Sequence, residues 1–189
     1  NTAFGYGALE ANTTADGNTA FGQGAAAANT TGVRIIAIGK GAYTASDTEN
    51  DNIAIGFQAM LANTAGGSEN IAIGSYALND LTSGDYNTVV GHYAGDVLTT
   101  GGSNTFIGQQ AGSAQTTASY NTAVGAFAGE ANTSGDNNAA FGRNALKVNT
   151  TGATNTGIGS QALTANTTGA KNTAVGCEAG DATTTGDDN

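Results

Sequence analysis

Hydrophobic and polar positions alternate along the chain with a fixed period. Every 17 residues, and once after 18, a bulky apolar residue follows a mostly small residue and precedes a glycine. A fixed period of this length in a chain rich in Gly, Asn and Thr predicts a solenoid, in which each repeat forms one coil. The eleven bulky residues are Phe4, Phe21, Ile38, Ile55, Ile73, Val90, Ile107, Val124, Phe141, Ile158 and Val175.

The repeat has the consensus Asn-Thr-Ala-(Phe/Ile/Val)-Gly-x-x-Ala-Leu-x-Ala-Asn-Thr-Thr-Gly-x-x, and positions are numbered here from its first asparagine. The eleven copies begin at Asn1, Asn18, Ile35, Asn52, Asn70, Asn87, Asn104, Asn121, Asn138, Asn155 and Asn172. The fourth copy is one residue longer, and the extra residue lies within 63–69. An insertion there predicts a loop, because loops tolerate insertions and strands do not.

Positions 2 to 5 predict a strand with two unlike faces. Residues two apart share a face of a strand, so Thr2 and Phe4 point one way while Ala3 and Gly5 point the other. We expect the bulky face to stack from coil to coil as an apolar core, which Ile107→Asp would disrupt. We expect the bare Ala/Gly face to allow close approach of the backbone of a partner chain.

Two positions never vary and are predicted to permit tight packing of coils and chains. Position 5 is glycine in Gly5, Gly22, Gly39, Gly56, Gly74, Gly91, Gly108, Gly125, Gly142, Gly159 and Gly176. Position 8 is alanine in Ala8, Ala25, Ala42, Ala59, Ala77, Ala94, Ala111, Ala128, Ala145, Ala162 and Ala179.

The second half of the repeat, for example 162–169, predicts a second short strand that ends in a turn. Asn and Gly favour the tight conformations that turns require. The Asn and Thr residues recur at the same positions of successive repeats, so we expect their side chains to hydrogen-bond along the stack, as in cross-β ladders.

Composition narrows the fold and excludes several partners. The chain has 30 glycines, no proline and a net charge of −10, with only 11% charged residues. No Lys/Arg stripe is present for a phosphate backbone, which argues against nucleic acid, and no apolar run is long enough to insert in a membrane.

The sequence predicts an all-β parallel β-roll or β-solenoid over residues 1–189, without a separate second domain. Because Asn189 begins a further copy, we interpret the chain as a segment of a longer fibre.

The motif resembles a known group of repeats. The phrase Asn121-Thr122-Ala123-Val124-Gly125, followed by Ala128 and by Asn-Thr-Thr-Gly in other copies, is similar to repeats of phage tail-fibre-like proteins and of trimeric autotransporter adhesin heads. The resemblance implies a left-handed β-roll, a homotrimer, and an extracellular or virion fibre that mediates attachment. The third repeat has Ile35 in place of the asparagine, so its Asn contact should be missing.

Candidate chemistry is sparse. The single histidine, His92, has no Ser–His–Asp spacing around it, and the carboxylates of Asp47, Glu49 and Asp51 fall in a predicted turn. We therefore predict no enzymatic activity and no cofactor. Calcium is an alternative at the turn acids that recur near positions 15 to 17, namely Asp16, Glu69, Asp85, Asp136 and Asp187.

The variable positions 6, 7 and 10 are expected to face outward. Their aromatic residues Tyr6, Phe57, Tyr76, Tyr93 and Phe127 are the candidate contacts for a cell-surface glycan or protein receptor. Two alternatives to an attachment fibre are a filament in which chains stack end to end, and a solenoid that binds ice or another surface through its position-13 threonines.

Overall fold

The computed structural model describes residues 1–63 and 66–189. Thr64, a member of the position-13 column, and Ala65, in the predicted insertion loop, lie outside the described residues. Each coil contributes one three-residue strand. The strands are β1 (Thr2–Phe4), β2 (Thr19–Phe21), β3 (Ile36–Ile38), β4 (Ile53–Ile55), β5 (Ile71–Ile73), β6 (Thr88–Val90), β7 (Thr105–Ile107), β8 (Thr122–Val124), β9 (Ala139–Phe141), β10 (Thr156–Ile158) and β11 (Thr173–Val175).

The strands form one parallel sheet in chain order from β1 to β11. Successive strands pair at an offset of 17 residues, and only β4 and β5 pair at 18, with Ile53 opposite Ile71. The predicted all-β parallel solenoid is confirmed, and the extra residue lies between β4 and β5 as expected. At ~4.8 Å per step, the stack is roughly 50 Å long. The described part of the chain contains no helix that is long and apolar enough to cross a bilayer.

Position 5 is glycine because the strand ends there in a conformation that other residues rarely adopt. Gly108 has a φ of +137°, and a Cβ at this residue would lie 2.5 Å from the carbonyl oxygen of Gly125 in the next coil. The position-5 glycines from Gly5 to Gly159 share both features, Gly176 in the last coil shares the positive φ, and the φ values of the column range from +130° to +146°. Their invariance therefore follows from the stacking of coils within one chain.

Three further residues of each coil are left-handed. In the ninth coil they are Asn144 at position 7, Leu146 at position 9 and Thr154 at position 17, with φ values of 60°, 51° and 61°. Left-handed residues break an extended run, because they turn the backbone away from the β region. The second strand predicted over 162–169 is therefore wrong, and these residues form turns that bond to the next coil.

The strand faces are opposite to the sequence prediction. The residue at position 3 is buried in nearly every coil, whereas positions 2 and 4 point outward. Phe4 is 68% exposed and Ile107 is 40% exposed, while Phe106, between positions 2 and 4 of its coil, is fully buried. The Ala face thus lines the interior of the coil, and it does not meet a partner chain.

Positions 3 and 9 share one part of the interior, which has room for one large side chain, whereas position 12 adds a further buried side chain such as Leu81 or Leu98. Phe106 fills position 3 of the seventh coil, and position 9 is Gly112, where a Cβ would lie 2.9 Å from the Phe106 ring. The sixth coil likewise combines Val89 at position 3 with Gly95 at position 9. Where position 3 is small, position 9 is often large, as in Leu78 and Leu146. The summed volume of positions 3 and 9 is therefore limited by the size of the coil.

The position-8 alanines belong to the same interior. Ala25 to Ala162 in this column are buried, while Ala8 and Ala179 at the two ends of the stack are more exposed. Each backbone N–H of this column donates to the carbonyl of the position-5 glycine, as Ala111 does to Gly108 at 3.3 Å. A larger side chain would enter the space that positions 3 and 9 already fill.

Buried asparagines at position 1 connect successive coils. The Oδ1 atom of Asn104 accepts the backbone N–H of Asn121 at 2.9 Å, and its Nδ2 atom donates to the carbonyl of Ala118 at 2.9 Å. The same Oδ1 contact is made from Asn1 to Asn172 wherever the asparagine is present. Ile35 interrupts the column, and among the described residues the N–H of Asn52 has no acceptor. The predicted loss of the Asn contact in the third repeat is confirmed.

The position-13 threonines bond along the stack as predicted. The hydroxyl of Thr99 donates to the carbonyl of Thr116 at 2.9 Å, and that of Thr150 donates to Thr167 at 2.9 Å. Thr13, Thr82 and Thr133 make the same contact with the next coil. These hydroxyls therefore satisfy backbone carbonyl groups of the neighbouring coil.

Gly108→Ala should lower the melting temperature far more than Gly24→Ala. The first change forces an unfavourable φ and a clash with Gly125, which together cost about 3 kcal/mol or more. Gly24 has a φ of +68° and nothing within 4 Å of an added Cβ, so its replacement costs about 1 kcal/mol. Thermal unfolding followed by circular dichroism measures both variants. Equal melting temperatures would contradict the assignment of Gly108 to a tight contact between coils.

Candidate functional site

The outward face of the sheet is an uncharged surface of bulky apolar side chains and threonines. We call the position-2 and position-4 residues of β1 to β11 the apolar ladder. Position 4 supplies only Phe, Ile and Val, and position 2 supplies Thr, Ile and one Ala. At the end near β1, the rings of Phe4 and Phe21 stack at a centroid distance of 4.9 Å. In-register parallel pairing places these side chains in two straight rows along the stack.

The apolar ladder contains no charged residue, although the chain carries 20 Lys, Arg, Asp and Glu. Its side chains are exposed or half-buried, and Phe21, Ile73, Phe141 and Ile158 are among the exposed large hydrophobic residues. A monomeric protein rarely exposes a large contiguous apolar patch to water. The ladder is therefore a candidate surface for association.

A second surface lies at the adjoining turns, at positions 6, 7, 10 and 11. There the rings of Phe57, Tyr76 and Tyr93, which we call the aromatic row, stack along three consecutive coils. Tyr76 and Tyr93 are parallel at a centroid distance of 4.7 Å, and Phe57 meets Tyr76 edge-on at 5.3 Å. His92 packs edge-on against Tyr93 at 4.3 Å.

An open groove begins where the aromatic row ends. This lateral groove has a volume of about 750 Å³ and crosses coils six to nine. It exists because Ser113, Ala114 and Ala131 in the middle coils are small, whereas Tyr93 stands at one end and Lys147 at the other. Its lining residues are Tyr93, Asp96, Val97, Gln110, Ser113, Ala114, Glu130, Ala131, Lys147 and Val148.

The charges of the lateral groove are partly balanced. The Nζ atom of Lys147 lies 3.4 Å from an Oε atom of Glu130 and 5.1 Å from the centroid of the Phe127 ring. Burial and the nearby carboxylate of Asp80 raise the pKa of Asp96. The groove thus combines an aromatic ring, two carboxyl groups, an amide, a hydroxyl and one ammonium group.

The structure unites three of the five predicted surface contacts. Phe57, Tyr76 and Tyr93 form the aromatic row, whereas Tyr6 is 85% exposed in the first coil and Phe127 lies beneath Lys147. Sequence reasoning missed the polar groove residues Asp96, Gln110, Glu130 and Lys147. The signal that could have found them is the shared position, since Gln110 is at position 7 and the other three are at position 10.

The carboxylates predicted to lie in a turn near residue 50 are held in different surroundings. Asp51 forms an exposed ion pair with Arg34, with 2.5 Å between Oδ1 and Nε, and Asp47 is exposed. Glu49 is buried, and its carboxylate accepts hydrogen bonds from the Ser46 hydroxyl and from the N–H groups of Asp47 and Thr48. The three do not converge on one site.

Glu49 replaces a turn that other coils build from asparagine and glycine. In the eighth coil, Asn132 at position 12 caps Gly135 at position 15. In the third coil these positions are Ser46 and Glu49, and the Glu49 carboxylate also accepts the N–H of Gly66 in the lengthened coil at 3.0 Å. Burial alone would raise the pKa of Glu49, but these hydrogen bonds hold it below its usual range.

Several of the recurring turn acids have a structural role. The Oδ1 atoms of Asp85, Asp136 and Asp187 each accept the backbone N–H of the preceding coil, at 2.8, 2.8 and 2.7 Å respectively. In residues 1–63 and 66–189, no group of three or more His, Cys, Asp and Glu side chains could hold a metal ion. Contacts between coils therefore explain the acids at Asp85, Asp136 and Asp187.

Comparison of the chain with protein-family models, with curated proteins and with solved structures finds no match. The two surfaces described above are therefore interpreted from their own geometry and chemistry.

Glu49→Gln should destabilise the protein at pH 7 and have less effect at pH 3. The folded protein holds the pKa of Glu49 below the unfolded value of about 4.3, so the carboxylate contributes stability above that pH. This contribution is lost as the pH falls through the folded pKa. Urea unfolding at both pH values measures the change. Glu10→Gln, at an exposed residue of the first coil, is the control, and an equal pH response of the two variants would contradict the role of Glu49.

Proposed function

We propose that this chain is a structural segment of an extracellular or virion fibre, in which copies of the chain associate through the apolar ladder. The observation that carries the proposal is the ladder itself, which presents Phe, Ile, Val and Thr side chains in straight rows and no charge. Burial of such a surface contributes about 25 cal/mol per Å² of apolar area. Exposure of this face to water is therefore unfavourable, and association that buries it is favoured.

A second copy of the chain is the partner that fits best. The rows of the ladder repeat at the spacing of the coils, so an identical chain offers side chains at the same spacing over the full length of the stack. A chain with a net charge of −10 repels its copies elsewhere, but the ladder contributes nothing to that repulsion. The resemblance to phage tail-fibre and adhesin-head repeats implies three copies around an axis and a role in attachment.

The proposal places attachment on surfaces that the association leaves free. The aromatic row and the lateral groove lie at positions 6, 7, 10 and 11, whereas the ladder lies at positions 2 and 4. Chains joined through their ladders would present these residues outward. Such a fibre needs no catalytic chemistry, since its function is to hold a binding surface at a distance.

Two other functions are distinct outcomes of the same experiments. An end-to-end filament would use the exposed strand edges of the stack. Ice or surface binding through the position-13 threonines is disfavoured, because the hydroxyls of Thr99, Thr150 and others donate to backbone carbonyls. The outward threonines of position 2 are the row through which a surface-binding solenoid would act.

The double variant Ile73→Asp/Ile107→Asp should convert the associated protein to single chains of 18.4 kDa. Both residues are exposed on the ladder, so two carboxylates would have to be buried on association, which costs several kcal/mol each. Light scattering coupled to size-exclusion chromatography measures the mass. Circular dichroism should show unchanged β structure, since neither side chain enters the interior.

The matched control is Thr100→Asp/Thr117→Asp, which adds the same charge at exposed residues of coils six and seven outside the ladder. It should retain the mass of the wild type. A monomeric wild type at high concentration would overturn the proposal. Open-ended filaments in electron micrographs would favour end-to-end assembly, and thermal hysteresis would favour ice binding.

A further inference from the structure

We propose that the lateral groove binds a short neutral oligosaccharide, with Tyr93 as the stacking residue and Asp96, Gln110 and Glu130 as the hydrogen-bonding residues. The groove has a volume of about 750 Å³, within the ~300–1,000 Å³ of small-molecule sites. It is continuous with the aromatic row through Tyr93, which lines the groove and stacks on Tyr76.

The polar groups of the groove match the chemistry of sugar hydroxyls. A carboxylate only accepts hydrogen bonds, whereas the Gln110 amide and the Ser113 hydroxyl both donate and accept. A sugar ring offers several hydroxyls that donate and accept, and its C–H groups can pack against an aromatic ring. Hydrogen bonds to ionised acceptors such as Glu130 are stronger than those between neutral groups.

The balance of charge favours a neutral sugar over an acidic one. The groove contains Asp96 and Glu130 but only one cation, Lys147, which is already 3.4 Å from Glu130. An acidic sugar would be repelled by the carboxylate of Asp96, because no unpaired cation among the described residues of the groove could offset that charge. A basic peptide is the other chemistry that two carboxylates could attract, but the paired Lys147 at one end of the groove would repel it.

The spacing of the coils favours an extended ligand. The groove crosses coils six to nine, which are three steps of ~4.8 Å each and together about 14 Å. Its polar groups recur at this interval along one line, from Asp96 through Ser113 and Glu130 to Lys147, all at position 10. A chain of two or three sugar units lying along the stack would reach most of them.

This inference rests on the proposed function in one respect: sugar binding would be the contact through which the fibre attaches. Its test is independent of chain association, because the groove and the ladder use different positions of the coil. The Ile73→Asp/Ile107→Asp variant should therefore still bind the sugar after it has become monomeric. If association fails the test while sugar binding persists, only the fibre proposal is lost.

The experiment is a titration of the whole chain with free neutral trisaccharides built from glucose, galactose or N-acetylglucosamine, followed by calorimetry and by saturation-transfer NMR. Tyr93→Ala should weaken the affinity for the binding trisaccharide at least about tenfold. Tyr120→Ala is the matched control, because Tyr120 is 65% exposed in the neighbouring coil and does not line the groove. Its affinity should equal that of the wild type.

A second variant keeps the test decisive if Tyr93→Ala fails to fold. Ser113→Leu fills the middle of the groove without touching the aromatic row, and the fourth coil already carries Leu61 at the same position. It should also abolish binding while the melting temperature is retained. Binding of none of the trisaccharides would overturn the proposal, as would equal affinities of Tyr93→Ala, Ser113→Leu and the wild type. Preferential binding of an acidic trisaccharide or of an oligolysine peptide would overturn it in favour of that ligand.

Discussion

The small cross-section of the coil is the constraint on which the rest of the structure depends. A turn of 17 residues encloses the alanine of position 8, one large side chain shared between positions 3 and 9, as the pairing of Phe106 with Gly112 shows, and one side chain at each of positions 1 and 12. The bulky residues of position 4 cannot enter this space, so they lie outside. Backbone hydrogen bonds and the buried asparagines connect one coil to the next beside a narrow apolar column. Stability thus comes from contacts between neighbouring coils, as is typical of solenoids.

The same constraint separates the surfaces by function. The strand face must be apolar because β-branched and aromatic residues suit a flat parallel sheet, and it contains no charge. The turns carry the variation, since side chains at positions 6, 7, 10 and 11 point away from both the interior and the ladder. The aromatic row and the lateral groove arise there where neighbouring coils differ in side-chain size, at Tyr93, Ser113 and Lys147. A regular scaffold therefore holds one irregular site.

The period, the register, the loop insertion and the missing contact of Ile35 could all be predicted from the sequence, because each depends on spacing alone. The direction of the strand faces could not. Alternation shows that positions 3 and 4, here occupied by Phe106 and Ile107, point in opposite directions, but it does not show which direction is inward. The prediction of a second strand is wrong because the left-handed φ of residues such as Leu163 is not specific to any residue type. The lateral groove could not be predicted, because its prediction requires knowing which positions of neighbouring coils lie next to each other.

The interrupted asparagine column has a mechanical consequence. In a parallel stack the backbone hydrogen bonds between coils run along the long axis, so a pull on the two ends of the rod loads every junction in series. Each junction then carries the whole force, and the weakest one sets the tensile strength. The junction between the third and fourth coils lacks the asparagine contact to the N–H of Asn52, and Glu49 reaches across it to Gly66. The Tyr43 hydroxyl also accepts a hydrogen bond from the Asn52 amide across this junction at 2.7 Å. Acidification would protonate Glu49 and weaken its contact with Gly66, so the force that this junction withstands should fall at low pH.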